Sequence, residues 1–413
     1  MQSSQFPLSK SIELPLNKSI LNRYLVLKYL YDALPSTNFD NNIPEDTILL
    51  YNILKEDIPE YCNCDNAGTV LRFVMAIAAV SGKNVWIGGS KRMHTRPCKD
   101  LVDALRQLGA KIEYIIDEGC PPVETFNTIN TNNYPRTITC NTDTSSQFVS
   151  AIMMIAPRFS NGLRIELVGQ NVSFPYIEMT SKMMNAAGLV NVIEDNIISI
   201  APRTEDFAFG NIMFERDWSA AAFWITILSG LDEGRIALNG LTTNSIQGDK
   251  AILDYLPYLG IDYTEENGSI ILSKSKEKLH QSSKQLLNIN LINTPDLFPP
   301  LAVAFALSNI DVHYSGLDNL IHKESNRIEA VLENLELLSY KTDKISDSEI
   351  IIFGSDNDIS EINSAITINT HKDHRIAMAF AIFEYLNKNI RIDDRNCVKK
   401  SYPAFFFELR MES

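Results

Sequence analysis

Apolar and polar positions along this chain repeat one pattern four times: an amphipathic stretch of helical period ends near Leu-Gly and leads into a strand, a turn and a second strand. The copies are LVDALRQLGAKIEYI, MMNAAGLVNVIEDNIISI, ILDYLPYLGIDYTEENGSIILS and VLENLELLSYKTDKISDSEIIIF. Their closing positions, Gly109, Gly188, Gly260 and Ser339, lie 79, 72 and 79 residues apart. Glycine there suits the left-handed backbone that ends a helix before a strand, and only Ser339 departs from it. A second, more apolar set of helices is predicted near Ser19 to Leu34, Gly68 to Ala79, Ser145 to Ala156, Trp218 to Leu228, Asp296 to Leu307 and Asp373 to Tyr385. Two helices per unit with strands between them predict an α/β protein of about six βαβαββ units. One such unit cannot bury both helices, so three units around a shared core form the natural domain.

Composition narrows the picture. A length of 413 residues exceeds one ordinary core and suffices for two domains. With 37 Lys and Arg against 51 Asp and Glu, the formal net charge is -14, so no nucleic-acid coat is expected and any anion must sit in a local basic pocket. Sparse cysteines (Cys62, Cys64, Cys98, Cys120, Cys140 and Cys397) and the polar start MQSSQFPLSK predict reduced thiols and a cytoplasmic location. Cys62-Asn-Cys64 has no second Cys/His pair at zinc spacing, so no metal site is expected. No run of 18 uncharged apolar residues occurs, and even LRFVMAIAAV contains Arg72, so no membrane span is predicted.

Anion-binding chemistry recurs at predicted helix starts, where exposed N–H groups and the dipole favour negative charge. LPLNKSILNR places Lys18, Ser19 and Arg23 there, and DNAGTVLR places Asn66, Gly68 and Thr69 with Arg72 one turn on. SKRMHTRP supplies Lys91, Arg92 and Arg96, with Pro97 fixing the chain after Arg96. Ser145, Ser146 and Gln147 open one helix and Ser173 and Tyr176 another; each such serine also suits an ordinary cap. The C-terminal half carries the acid/base candidates: Asp296 in NTPDLFPP, Lys323, Glu324 and Arg327 in NLIHKESNR, Arg375 in DHRIAMAF, and Lys400 in CVKKSYP. Lys323 and Arg327, four apart, are predicted to share a helix face. Arg375 in the first turn of an apolar helix needs an anionic partner against the dipole.

In order, LPLNKSILNR, DNAGTVLR, KRMHTRP, SSQF, SFPYIE, NSIQGD, PD, NLIHKESNR, DHRIAMAF and CVKKSYP resemble the motif series of the 5-enolpyruvylshikimate-3-phosphate synthase family, from Leu14 to Pro403. The resemblance implies a two-domain inside-out α/β barrel of six βαβαββ units. One domain would comprise residues 1–16 plus 215–413 and the other 17–214, with the active site in the cleft between them. It implies transfer of the enolpyruvyl group of phosphoenolpyruvate to the 5-hydroxyl of shikimate 3-phosphate, with release of phosphate. No metal or organic cofactor and no membrane or nucleic-acid partner are expected, and the chain is expected to be a monomer. Ser19, Arg23, Ser145, Ser146, Gln147, Ser173, Tyr176, Asp296, Asn319 and Lys323 would hold shikimate 3-phosphate. Lys18, Asn66, Gly68, Arg96, Glu324, Arg327, Arg375 and Lys400 would surround phosphoenolpyruvate. Either Lys323 or Asp296 would take the proton of the 5-hydroxyl, while Glu324 would protonate and later deprotonate the methylene carbon.

The series has departures. The family's Gly-Ser before the first lysine is Leu16-Asn17, its Glu-Gly-Asp is Glu215-Arg216-Asp217, its proline after the NAGT-helix arginine is Phe73, and its Trp-Arg-Val is Leu320-Ile321-His322. The sister transferase acting on UDP-N-acetylglucosamine carries a cysteine before the Arg-Pro pair, whereas GGSKRMHTRP has none and Cys98 follows Pro97. An inactive binding module on the same fold would be expected to have lost Asp296, Lys323, Glu324 or the arginines, and all are present.

Overall fold

Alternation builds the sheets: in the strand Gly234–Asn239, Ile236 and Leu238 are buried while Arg235 is exposed. This computed structural model describes residues 8–35, 42–126, 129–276, 286–355 and 359–410. Among them, four sheets share one order, a parallel pair followed by an antiparallel hairpin whose second strand lies beside that pair. In the first sheet, Leu8–Glu13 runs parallel to Gly234–Asn239, which pairs with Ser269–Lys274 and through it with Ile261–Glu266. The sheets beginning at Leu287–Asn290, Tyr61–Asn63 and Thr137–Asn141 repeat this plan. A further parallel pair, Ile366–Ile368 with Ile390–Ile392, has no hairpin of its own among the described residues.

The helices that connect the parallel strands are buried nearly all round, so they, and not the sheets, occupy the interior. Every residue of Trp218–Ser229 is buried; Gly68–Ala79, Ser146–Ile155 and Phe298–Leu307 leave out only Thr69, Gln147 and Leu307. Removing each large side chain from water contributes about 1.5–3 kcal/mol as an upper bound. The four closing positions adopt positive φ: 96° at Gly109, 88° at Gly188, 69° at Gly260 and 66° at Ser339.

The chain divides into two compact units, Met1–Asn17, Asn41–Pro44 and Glu215–Ser413 in one and Lys18–Asp40 and Glu45–Phe214 in the other. The strands that leave and re-enter the first unit lie side by side. Leu16 and Arg216 form an antiparallel bridge, the Asn17 N–H donates to Glu215 O at 2.9 Å, and that of Asp217 to Pro15 O at 3.0 Å.

Three local expectations change. The stretch before Gly260 is a run of 3-10 turns over Gly248–Leu259 rather than an α-helix, with Pro257 inside it removing a donor and crowding the preceding turn. The helix expected from Asp373 to Tyr385 is two short ones, His374–Ala379 and Ala381–Leu386. A helix that the periodicity did not predict, Glu45–Leu54, packs against Lys18–Tyr31. No helix among the described residues is long and apolar enough to cross a membrane.

Candidate active site

In the first unit, the apolar sequence FPPLAVAFAL starts its helix at Phe298, with Pro299 and Pro300 in the first turn, where proline costs no hydrogen bond. The preceding turn, Pro295–Leu297, holds Asp296 at 9% exposure. Its Oδ1 meets Arg327 Nη1 at 2.7 Å and Lys323 Nζ at 3.2 Å, and its Oδ2 meets Arg375 Nη2 at 2.9 Å. Arg327 gives its remaining nitrogens to two other carboxylates, Nη2 to Glu324 Oε2 and Nε to Asp373 Oδ2, both at 2.8 Å. Lys400 extends the network at 3.2 Å from Glu324 Oε1. Asp373 also caps the helix that follows, accepting from the Arg375 N–H at 2.9 Å. Arg375 thus meets the anionic partners that its helix position requires. Asn319 is buried in the turn Asp318–His322, four residues before Lys323.

Lys323 and Arg327 do not share a helix. Lys323 ends the turn Asp318–His322 in an extended conformation, and the next helix starts at Arg327 after Asn326, whose side chain accepts from the Glu329 N–H. Both still reach Asp296, because the loop curls about that carboxylate.

Electrostatics separates these groups. Burial works against the charge on Asp296, yet Arg375, Lys323 and Arg327 outweigh it and hold the carboxyl well below the usual range. Burial pushes Lys323 below its ordinary value, with Asp296 opposing and Arg327 assisting. Arg327 is also buried, but Asp373, Glu324 and Asp296 hold its proton more firmly than usual.

The second unit gathers a different set. Arg23, 1% exposed on the helix Lys18–Tyr31, donates to Thr180 Oγ1 at 2.7 Å, Ser19 O at 3.0 Å, Ser150 Oγ at 3.1 Å and Tyr176 O at 3.3 Å. These acceptors are all neutral, and burial lowers its pKa to about 10. A buried guanidinium among neutral acceptors keeps a charge that an anion would offset. Ser173, buried with φ 59°, precedes the helix Pro175–Ala186 that carries Tyr176. Lys18 pairs with Asp46 at 2.8 Å.

Gly68 opens its helix without a side chain, and a Cβ there would lie 2.5 Å from Arg72 Nη1 and 2.6 Å from Arg96 Nη2. The two guanidinium groups therefore converge on the Gly68 backbone, with Arg96 Nη1 also donating to Asn66 O at 3.1 Å. Arg72 Nη1 donates to Gln147 Oε1 at 2.8 Å, which joins the DNAGTVLR and SSQF segments. Ser145 caps that second helix, accepting from the Gln147 N–H at 3.2 Å, and Ser146 beside it is buried.

A family model described as EPSP synthase (3-phosphoshikimate 1-carboxyvinyltransferase) matches residues 46–409. The chain belongs to the EPSP synthase family. It is 34% identical over 413 residues to a 3-phosphoshikimate 1-carboxyvinyltransferase of Bacteroides fragilis, covering 99% of this chain and 96% of the relative. To the protein of that name from Methanospirillum hungatei it is 31% identical over 357 residues, covering 85% and 79%. A solved EPSP synthase from Acinetobacter baumannii shares the fold, with a TM-score of 0.70 at 21% identity over 97% of this chain and 95% of that one.

Three departures from the EPSP synthase motifs have a local structural account. Phe73 lies beneath the Arg23 guanidinium, 5.5 Å from ring centroid to Cζ. Arg216 donates to Leu14 O at 2.7 Å and meets Glu13 Oε2 at 3.2 Å, while its stem fills the space beside Gly240. Asn17 donates to Asp217 Oδ1 at 2.9 Å and Gln247 Oε1 at 2.7 Å, so this crossing is bonded where the family has Gly-Ser. The motif series gives Arg72 no ligand role, Asp46 does not stand out in the sequence, and Asp373, though it opens DHRIAMAF, has no role assigned there. Arg72 is detectable from its position four after Gly68; the pairings of Asp46 and Asp373 are set by tertiary packing and leave no periodic signal.

Proposed function

We propose that this chain is a 3-phosphoshikimate 1-carboxyvinyltransferase: it moves the enolpyruvyl group of phosphoenolpyruvate to the 5-hydroxyl of shikimate 3-phosphate and releases phosphate. The observation that carries the reading is the interlocked cluster of Asp296, Lys323 and Glu324 with Arg327, Arg375 and Lys400, in a family member whose sequence retains every acid and base of the motif series. We assign shikimate 3-phosphate to Ser19, Arg23, Ser145, Ser146, Gln147, Ser173, Tyr176, Asp296, Asn319 and Lys323. Phosphoenolpyruvate is assigned to Lys18, Asn66, Gly68, Arg96, Glu324, Arg327, Arg375 and Lys400, and Arg72 joins them through its convergence with Arg96 on Gly68.

The chemistry follows from these surroundings. The 5-hydroxyl oxygen adds to C2 of phosphoenolpyruvate as C3 takes a proton from Glu324; return of a proton from that methyl group to Glu324 then breaks the C2–O bond to phosphate and restores the double bond. A carboxylate held as low as Asp296 is a weak base, whereas burial draws Lys323 toward neutrality, so Lys323 receives the hydroxyl proton and Asp296 orients it. Arg327, with each of its three nitrogens bonded to one of Glu324, Asp296 and Asp373, contributes charge to the phosphoenolpyruvate site and fixes Glu324. Cations around the leaving phosphate stabilise the charge that develops there. The sheet plan shared by four sheets and the buried helices support the finer architecture, an inside-out barrel derived from six βαβαββ units, and the bounds expected for its domains, 1–16 plus 215–413 and 17–214, differ from the two compact units in Asn17 and in Asn41–Pro44, which fall in the first.

Phosphate release from phosphoenolpyruvate tests the function, with shikimate 3-phosphate in one sample and UDP-N-acetylglucosamine in another. Release with shikimate 3-phosphate alone is expected; release with the nucleotide sugar alone, or with neither, overturns the assignment.

A further inference from the structure

The first unit contains a buried carboxyl that none of these steps uses. Asp249, 4% exposed at the second residue of the turns Gly248–Leu259, accepts through Oδ2 from the Ser219 hydroxyl. Ser219, itself buried, follows the Asp217 cap of the helix Trp218–Ser229 and accepts from Arg375 Nη2 at 3.4 Å. The same nitrogen meets Asp296 Oδ2 at 2.9 Å. Arg375 therefore stands between two carboxylates, one touched directly and the other through a hydroxyl. A serine hydroxyl has one hydrogen, and giving it to Asp249 leaves lone pairs facing the guanidinium. The charged groups facing Asp249 from neighbouring elements are Arg375, Asp296 and Asp217, while Lys250 on its own element turns to Thr243 O at 2.8 Å.

We propose that Asp249 is a positioning residue for phosphoenolpyruvate, which holds Arg375 through Ser219 and takes up a proton when the substrate anion draws that guanidinium away. The inference rests on the assignment of Arg375 to phosphoenolpyruvate. With its cation committed to the substrate, a buried carboxylate facing Asp296 and Asp217 is left without compensation, and protonation removes the cost. Burial and the charge of Asp296 already lift the carboxyl to about 6, against Arg375 and the Ser219 hydrogen bond, so the uptake falls in a working pH range. By linkage, a substrate that raises this affinity for a proton is itself bound more tightly as pH falls through the transition.

The test is the KM for phosphoenolpyruvate of the full chain from pH 5.5 to 8, at saturating shikimate 3-phosphate, in wild type, Asp249→Asn and Ser219→Ala. Titration of the substrate's own phosphate is common to all three and cancels in their ratios. Wild-type KM is expected to rise with pH by up to about tenfold relative to Asp249→Asn, the change produced when binding strengthens the hold of Asp249 on its proton about tenfold, and the difference lies in KM rather than kcat. Parallel profiles for these two proteins overturn the proposal. Ser219→Ala removes the hydrogen bond that lowers the Asp249 pKa, so its inflection is expected at higher pH than in wild type. An unmoved inflection overturns the proposal even if Asp249→Asn does not fold. Failure of the wild type to release phosphate with either acceptor would instead overturn the assigned function.

Discussion

The guanidinium of Arg23 lies 5.5 Å over the ring of Phe73 and 5.8 Å over that of Tyr176. Ring faces attract a desolvated cation by about 1 kcal/mol or more. Phe73→Leu is therefore expected to weaken shikimate 3-phosphate binding about threefold to tenfold, read by equilibrium titration. Unchanged affinity would mean that the ring only fills space.

Gly68→Ala introduces a methyl group where Arg72 and Arg96 converge, and those guanidinium groups must move to admit it. The KM for phosphoenolpyruvate should rise about tenfold, a cost of about 1.4 kcal/mol, while shikimate 3-phosphate affinity holds. Steady-state kinetics with each substrate varied in turn would show equal losses for both if the helix start itself had collapsed.

Glu324 is held by Arg327 and Lys400, one on each oxygen. Glu324→Gln keeps the shape and removes the exchangeable proton, so shikimate 3-phosphate binding should persist while kcat falls by about 10²- to 10⁴-fold. Near-normal turnover would remove Glu324 from proton transfer.

Asp249 also gives stability a pH dependence whose sign is fixed. An unfolded aspartate titrates near about 3.9, whereas this buried one titrates at about 6. Its contribution is most favourable below about pH 4, is lost as pH rises through 6, and stays lost above. Asp249→Asn omits that loss, so relative to wild type it should gain on the order of 2 kcal/mol between pH 4 and 7. Urea midpoints across that range check it; a constant difference would refute the titration.

Ser339 is the one closing position that bears a side chain at φ 66°. Left-handed backbone costs an L-residue about 1–2 kcal/mol, part of which glycine returns through a freer unfolded chain. Ser339→Gly should therefore stabilise by about 0.5 kcal/mol, seen as a higher urea midpoint with an unchanged slope.

Local chemistry made much of this structure legible in advance. The turns at Gly109, Gly188, Gly260 and Ser339 were readable because ending a helix before a strand constrains a single residue. Helix starts at Gly68 and Ser145 were readable for the same reason. What stayed hidden depends on distant partners. Asp46 looks like any acidic residue in a first turn until it meets Lys18, and Asp373 gives no sign in sequence that it will share Arg327 with Asp296. The Gly248–Leu259 stretch has amphipathic spacing, yet Pro257 decides its backbone.

The parallel pairing of Leu8–Glu13 with Gly234–Asn239 imposes an order of events during synthesis. The first strand emerges more than 200 residues before its partner, a wait of roughly ten to forty seconds at ~5–20 residues per second. Through that interval its backbone donors and acceptors face water or whatever strand comes near. Ser9, Lys10, Ser11 and Glu13 leave only Leu8 and Ile12 as apolar side chains, which makes the waiting segment a poor nucleus for aggregation. The inserted unit can thus be complete on the ribosome before its host can close the sheet that surrounds the point of insertion.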